Sequence, residues 1–119
     1  MQWQSPEAEH IFPIVQDAFE KGKVIGGICN AASFLCAHGF LNHVKHTGNT
    51  LAVLKQWGGE RYTNEDGYLE KQAVGDKNIV TANGTGYLEF TRELLLALKA
   101  DTQEKIEAFY DFSKNGLVR

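Results

Sequence analysis

The longest stretch without Asp, Glu, Lys or Arg, residues 24–44, constrains the fold of this chain more than any other segment. A membrane-spanning helix needs about 20 mostly apolar residues, whereas this run contains adjacent glycines, two asparagines, a serine and two histidines. The pattern instead predicts a short buried strand over Lys23–Cys29 and a helix over Ala31–His38 that ends at Gly39. We therefore expect no membrane span, and a strand that turns directly into a helix.

The rest of the chain alternates helical and extended patterns, which predicts an α/β fold. Ser5–Pro6 is typical of a helix start, and the apolar spacing that follows continues to Lys21. Pro13 interrupts this spacing, so either one kinked helix or a turn followed by a helix is expected. The further predicted elements are a strand over 43–47, a helix over 51–57, a β-hairpin of 68–74 and 77–82 around Gly75–Asp76, a helix over 85–99, and a last helix after the capping sequence 101–104.

Length and composition narrow the class of protein. A chain of 119 residues suits one domain, here residues 1–119. The formal net charge of −3 argues against a basic phosphate-binding surface, so we expect no nucleic-acid partner.

The N-terminal sequence has neither the basic start nor the apolar run of a secretory signal, and we expect a cytoplasmic protein. Cys29 and Cys36 are seven positions apart, too far along one helix for a disulfide, so both should be free thiols.

The sequence Gly27-Ile28-Cys29-Asn30-Ala31 stands where the predicted strand meets the predicted helix. In a nucleophile elbow, a sharp strand-to-helix turn exposes a strained nucleophile, and small residues two before and two after it let the turn close. Gly27 and Ala31 occupy those positions around Cys29. A helix N-terminus favours the reactive thiolate, and the Asn30 N–H would face a developing oxyanion. The same pattern also fits an inert, buried cysteine at a strand end.

Ordered motifs extend over nearly the whole chain, at 21–32, 39–41, 45–49, 78–85 and 89–90. Together they resemble the DJ-1/PfpI family, which has the class I glutamine amidotransferase-like fold. The resemblance implies a flavodoxin-like three-layer sandwich of parallel strands and flanking helices. It also implies a cysteine-dependent enzyme acting on a small carbonyl or amide substrate, with Cys29 as the nucleophile.

Members of that family begin with a βαβαβ half that supplies a glutamate beside the cysteine and a glycine pair for the oxyanion hole. The resemblance implies that this sequence corresponds to the C-terminal portion of the family domain, either as a fragment or as a natural truncation. The strand before Cys29 would then expose an unpaired edge, and exposed strand edges invite self-association. We therefore expect a homo-oligomer, with any general acid or base supplied by the absent half or by another chain.

A catalytic base is not evident beside the cysteine. The protease-like branch of the family has a histidine directly after the nucleophile, whereas Asn30 cannot accept a proton. His46 is the candidate base, although it is offset from the position where relatives place a histidine, and the alternative is a partly exposed histidine at a strand end. Gly84 and Thr85 are pocket candidates together with Gly27, because their loop lies near the cysteine in relatives. That loop equally fits a simple helix-starting turn.

Metal binding, redox sensing and a purely structural role are the other functions that the sequence raises. Cys36, His38, His43 and His46 are residue types that zinc accepts, but Cys36 and His38 would point about 200° apart on a helix. We predict no metal and no cofactor. A redox-responsive stress protein, in which Cys29 is oxidised reversibly, and a catalytically silent domain, whose turn serves only packing, remain alternatives to the enzyme.

Overall fold

A three-stranded sheet lies at the centre of the computed structural model, which describes residues 3–116. The strands are β1 (Ile25–Ile28), β2 (Ala73–Asp76) and β3 (Ile79–Ala82), in the order β1–β3–β2. β1 runs parallel to β3 with Ile25 opposite Ile79, and β2 runs antiparallel to β3. Among the described residues, β1 therefore pairs on one side only. The α-helices of this part of the chain are α1 (Pro6–Glu9), α2 (Phe12–Glu20), α3 (Asn30–Ala37), α4 (Leu51–Gly58), α5 (Tyr87–Leu98) and α6 (Gln103–Asn115).

Helices cover both faces of the sheet. A Cβ atom at Gly26 would lie 2.9 Å from Leu94 Cδ2 of α5, whereas one at Gly27 would lie 2.8 Å from Leu35 Cδ1 of α3. Successive residues of a strand point to opposite faces, so α3 and α5 lie on opposite sides of β1. α4 packs on α3, and α6 packs on α5. The predicted α/β, flavodoxin-like three-layer arrangement is thus confirmed.

The β2–β3 hairpin is also confirmed, but its turn lies two residues later than predicted. Gly75 and Asp76 belong to β2, and the turn is made by Lys77 and Asn78. Both turn residues have positive φ angles, 49° and 67°. Two-residue hairpin turns of this type match the twist of the flanking strands, and asparagine tolerates the left-handed conformation well.

The N-terminal segment resolves into two helices rather than one kinked helix. α1 ends at Glu9 and α2 begins at Phe12. Pro13 lies in the first turn of α2, where a missing N–H costs no helical hydrogen bond. The second of the two predicted arrangements is therefore the observed one.

The strand predicted over 43–47 does not form. His46 makes an isolated parallel bridge to Tyr68, and no longer ladder follows among the described residues. The neighbouring N–H groups donate to side chains instead: Lys45 N–H to Asp76 Oδ2 at 2.9 Å and Thr47 N–H to Thr81 Oγ1 at 2.8 Å. These contacts fix the segment on the hairpin without extending the sheet.

The main core lies on the α3 side of the sheet. Its buried residues come from the strands, α1, α3, α4 and the loops between them: Ala8, Ile25, Phe34, Leu35, Cys36, Phe40, Leu41, Val44, Leu54, Tyr62 and Ile79. On the other side, α6 begins at its N-cap Thr102, whose hydroxyl accepts a hydrogen bond from Lys105 N–H. Within residues 3–116, none of the helices combines the length and apolarity needed to cross a membrane.

Candidate active site

Cys29 stands at a strained turn between β1 and α3. Its φ of 60° and ψ of −126° lie outside the regions that non-glycine residues ordinarily adopt. Such conformations cost on the order of 1–3 kcal/mol and cluster at functional sites. The Cys29 N–H donates to Ala82 O at 3.0 Å, which continues the pairing of β1 with β3 up to this residue. The strain is therefore confined to the point where the strand becomes a helix.

Gly27 allows this turn to close. A Cβ atom at position 27 would lie 3.1 Å from the backbone C and O of Ala31, in addition to its contact with Leu35. Gly27 is buried against α3 and does not line a described cavity. Its observed position suits the small residue that lets the turn close, and the binding role that the sequence also suggested stays a prediction.

The sulfur of Cys29 lies where three segments meet. Asn49 Nδ2 is 3.3 Å from Cys29 Sγ, and Asn49 Oδ1 accepts a hydrogen bond from Gly84 N–H at 2.9 Å. A Cβ atom at Gly84 would lie 3.4 Å from the same sulfur. Cys29 itself is half-buried. The structure thus brings Cys29, Asn49 and Gly84 together at the end of β1.

The N-terminus of α3 also adjoins Cys29. Cys29 is the N-cap residue, yet its side chain makes no capping hydrogen bond. The first N–H groups of a helix have no partner within the helix, and they carry its positive dipole end. Asn30 is the first residue of α3, so its N–H belongs to this helix N-terminus, and its side chain is exposed; its role toward an oxyanion stays a prediction.

Thr85 shapes the loop beside the site rather than contacting the sulfur. Its N–H and hydroxyl both lie within hydrogen-bond distance of Asn83 Oδ1, at 2.9 and 2.8 Å, and the hydroxyl is 3.0 Å from Gln72 Oε1. Thr85 is exposed. It orders the two amide side chains next to Gly84.

His46 is buried and is engaged elsewhere. It has no exposed surface, and its Nδ1 lies 2.8 Å from Val44 O while its Nε2 lies 2.6 Å from the Tyr62 hydroxyl. Since a carbonyl oxygen only accepts, Nδ1 carries the proton and Nε2 accepts from Tyr62. Burial lowers the pKa of His46, against a smaller opposing effect of the Val44 carbonyl. The structure does not bring a free imidazole nitrogen to Cys29, and the partly exposed histidine of the alternative prediction is not observed.

Cys36 occupies the core between α3 and α4. It has no exposed surface, and its Sγ donates to Leu54 O at 3.3 Å. Burial raises the pKa of the Cys36 thiol to about 12. Both cysteines are free thiols, as predicted. Among residues 3–116, no group of three or more His, Cys, Asp and Glu side chains is arranged to hold a metal ion.

An open groove adjoins Asn49. Its volume is about 740 Å³, within the range of small-molecule sites. One wall comes from the start of α4 and the loop before it, and the other from the segment that enters β2. The lining residues are Gly48, Asn49, Thr50, Leu51, Tyr68, Glu70, Lys71, Gln72 and Asn83. Asn49 therefore belongs both to the groove and to the surroundings of the Cys29 sulfur.

Asn49 is the site residue that sequence reasoning did not single out. It is the last residue of the segment 45–49. The candidate catalytic base in that segment is His46, because a histidine can accept a proton and an asparagine cannot. An asparagine directly after a glycine is also typical of an ordinary turn. Only the fold, by placing the loop before α4 beside the end of β1, reveals its contact with the sulfur.

Comparison with known proteins agrees with this three-layer α/β arrangement. The sequence model of the DJ-1/PfpI family matches residues 4–97, and the chain belongs to this family. It is 39% identical over 112 residues to a Bacillus subtilis (strain 168) protein named "Uncharacterized protease YdeA", covering 94% of this chain and 56% of that protein. It is 34% identical over 112 residues to "Uncharacterized protease YoaZ" of the same organism, covering 94% and 53%.

Solved structures give the same result for the fold. A thiJ/pfpI family protein from Bacillus anthracis superposes with a TM-score of 0.90 at 30% identity, covering 98% of this chain and 55% of that one. The DJ-1 superfamily protein Atu0886 from Agrobacterium tumefaciens gives a TM-score of 0.77 at 35% identity, covering 87% and 54%. The chain therefore spans about half the length of the relatives it matches.

Proposed function

We propose that this chain carries the nucleophile of a cysteine-dependent hydrolase that acts on small carbonyl or amide substrates. The observation that supports the proposal most is the conformation of Cys29. Its φ of 60° places strain at a half-buried thiol beside a helix N-terminus and a side-chain amide. A cysteine that serves only as packing gains nothing from such a conformation, as the fully buried Cys36 illustrates.

In the proposed reaction, the Cys29 thiolate attacks the substrate carbonyl carbon, and a carbon–sulfur bond forms as the carbonyl oxygen becomes an oxyanion. The Asn30 N–H donates a hydrogen bond to that oxyanion. Collapse of the intermediate expels the amine or alkoxide and leaves a thioester on Cys29, which water hydrolyses to release the acid and regenerate the thiol. Within residues 3–116, the hydrogen bond to the sulfur comes from Asn49, which accepts no proton. The leaving group takes its proton from water or from a group on another chain.

The relatives support a hydrolytic reaction. Two proteins that share 39% and 34% identity with this chain are named uncharacterized proteases. A protease hydrolyses amide bonds. The groove offers a place for the substrate, and one of its lining residues, Asn49, contacts the Cys29 sulfur. Because the chain spans about half of each relative, their activity is extended to it as part of this proposal.

We further propose that the protein acts in the cytoplasm as a homo-oligomer. Two free cysteines suit a reducing compartment. β1 pairs only with β3 among the described residues, so its other edge carries main-chain groups that a strand of a second copy can pair with. The small-molecule substrate and the second copy are the partners this proposal requires.

A p-nitrophenyl acetate assay tests the proposed reaction. The native protein should release p-nitrophenolate in a burst, and the peptide containing Cys29 should gain the mass of one acetyl group. Cys29→Ala should abolish both signals, whereas Cys36→Ala, the matched control, should retain them. A burst that persists in Cys29→Ala, or an acetyl group found on another residue, would contradict the proposal.

The difference in exposure between the cysteines favours a second candidate, a redox-responsive protein. Cys29 is half-buried and Cys36 is fully buried, so a peroxide can reach the first sulfur but not the second. The Cys29 thiolate would attack one peroxide oxygen, the O–O bond would break, and Cys29 would become a sulfenic acid as the other oxygen leaves as water or an alcohol. Selective dimedone labelling of Cys29 after dilute peroxide is the expected result. Equal resistance of both thiols would count against this candidate.

A further inference from the structure

We infer that Asn49 is a positioning residue for Cys29, which holds the sulfur as a hydrogen-bond acceptor and ties it to the loop at Gly84. The inference rests on the proposed role of Cys29 as a nucleophile. It adds a specific function for a side-chain amide that cannot act as a base. Cys29 would then be activated by a fixed hydrogen-bond donor rather than by proton transfer to a histidine.

The orientation of the Asn49 amide follows from its two partners. Gly84 N–H lies 2.9 Å from one end of the amide, and a backbone N–H can only donate. That end must therefore be Oδ1, so the other end, 3.3 Å from Cys29 Sγ, is the donor Nδ2. The geometry leaves no alternative in which the amide oxygen faces the sulfur while the Gly84 hydrogen bond is kept.

A donor aimed at sulfur acts mainly on the charged form. Hydrogen bonds to ionised groups are roughly twice as strong as those between neutral groups, so the amide stabilises a thiolate more than a thiol. The hydrogen bond from Cys29 N–H to Ala82 O helps to hold the backbone of Cys29 in its strained conformation, and the Asn49 amide adds a constraint on the side chain. Together they direct the sulfur toward the space beside Gly84, where no side chain intervenes.

The same contact links Cys29 to the groove. Asn49 lines the groove, as does Asn83, which precedes Gly84 in the loop. A ligand in the groove therefore touches the residue that holds the sulfur. This arrangement predicts that the loss of the amide donor changes the reactivity of Cys29 without any change at Cys36, which lies in the core between α3 and α4.

Two substitutions separate a role in positioning from a role in folding. Asn49→Asp keeps an oxygen for Gly84 N–H but replaces the donor with a carboxylate, which repels a thiolate. Asn49→Leu keeps the approximate shape and removes both hydrogen bonds. The matched control is Asn42→Asp, because Asn42 also donates through Nδ2, to Arg61 O, and accepts through Oδ1, from Thr63 N–H, and it follows α3 whereas Cys29 precedes that helix.

The measurement is the rate of Cys29 alkylation by iodoacetamide in native protein, resolved by peptide mass, at about pH 7 and about pH 10. We expect Asn49→Asp and Asn49→Leu to slow the reaction about 10-fold or more near pH 7, with a smaller loss near pH 10 where any thiol ionises. Asn42→Asp should react as the wild type does. Circular dichroism and urea unfolding establish that each variant is folded, and Asn49→Asp carries the test if Asn49→Leu does not fold.

The possible outcomes distinguish this inference from the proposed function. If Asn49→Asp reacts at the wild-type rate while wild-type Cys29 remains much faster than the unfolded chain, Asn49 is only a loop anchor and the inference is wrong. If wild-type Cys29 reacts no faster than it does in urea, the proposed nucleophile fails instead. A loss that is equal at both pH values would also overturn the inference, because it would reflect access to the sulfur rather than its ionisation.

Discussion

The two cysteines of this chain are seven residues apart, yet the fold gives them opposite surroundings. Cys29 is half-buried at a turn with a φ of 60°, and its sulfur accepts a hydrogen bond from Asn49. Cys36 has no exposed surface, its sulfur donates to Leu54 O, and burial raises its pKa to about 12. We propose that the first thiol reacts, whereas the second packs in the core.

The difference arises from backbone position rather than from residue type. Cys29 lies between the last residue of β1 and the first residue of α3, so its side chain projects from a turn rather than from a regular element. Cys36 lies within α3 and faces α4. The two cysteines thus differ in their position relative to the junction of β1 and α3, and the following predictions test this contrast from the largest expected effect to the smallest.

Removal of His46 tests whether the buried histidine serves Cys29 or the core. His46→Ala leaves a cavity and an unpaired Tyr62 hydroxyl, so we expect a loss of about 3–4 kcal/mol in the free energy of unfolding, measured in urea. Under conditions where the variant remains folded, Cys29 should keep its alkylation rate. A drop of 10-fold or more in that rate, with the fold intact, would instead make His46 part of the reactive site.

The pH dependence of stability checks the same residue. The pKa of His46 is lowered by burial from its ordinary value of 6.5. As the pH falls below about 6.5, the unfolded chain binds a proton that the folded chain does not, so stability should decrease. His46→Gln should show a weaker decrease between about pH 6.5 and pH 5 in urea unfolding. Identical pH profiles for the two proteins would contradict a neutral, buried His46.

A side chain at position 27 should distort the Cys29 turn more than the Cys36 site. Gly27→Ala brings a methyl group within 3.1 Å of the Ala31 backbone, and we expect a loss of about 2–3 kcal/mol in unfolding free energy. Cys29 alkylation should slow while Cys36 stays protected in the folded protein. If both thiols keep their rates, Gly27 is not required for the geometry of the turn.

The polar cluster between α5 and α6 provides a test on the opposite face of the sheet. Hydrogen bonds from Lys114 and Tyr110 hold the pKa of Glu89 below its ordinary value of 4.5. The lowered pKa contributes stability above about pH 4.5 that is lost as the pH falls further. Glu89→Gln should cost about 1–2 kcal/mol near pH 7 and less near pH 3 in urea unfolding, with both thiols unaffected. A cost that does not shrink at low pH would contradict the role of the charge.

Cys36→Ala should have the smallest effect. It removes one buried sulfur and its hydrogen bond to Leu54 O, so we expect a loss of about 1 kcal/mol or less in unfolding free energy. The Cys29 alkylation rate should equal that of the wild type. A large change in that rate would mean that the two sites are coupled through α3.

Much of this fold follows from the sequence, because the spacing of apolar residues and the residues typical of turns and helix ends are local signals. The uncharged run forms β1 and α3, as the sequence predicts. The chain breaks near Pro13 into two helices, and the predicted hairpin forms as β2 and β3. The turn at Lys77–Asn78 was missed because Gly75 is a stronger turn signal than lysine. The segment 43–47 has a strand composition, but its N–H groups find side-chain acceptors on the hairpin, which no local pattern encodes.

The site was predictable only in part. The small residues around Cys29 predict that it lies between a strand and a helix, and in the structure it lies between β1 and α3. The contacts of His46 and Asn49 depend on loops 16 and 35 residues distant in sequence, at Tyr62 and Gly84 respectively. Sequence spacing within 45–49 could not determine which of these side chains faces the sulfur and which faces the core.

The most direct test of the contrast is a competition between the two thiols for iodoacetamide in the native wild-type protein near neutral pH, followed by peptide mass analysis. We expect Cys29 to react at least about 100-fold faster than Cys36, and faster than the same cysteine in urea. Equal rates for the two cysteines, or a Cys29 rate no higher than in the unfolded chain, would contradict the account of Cys29 as an activated thiol.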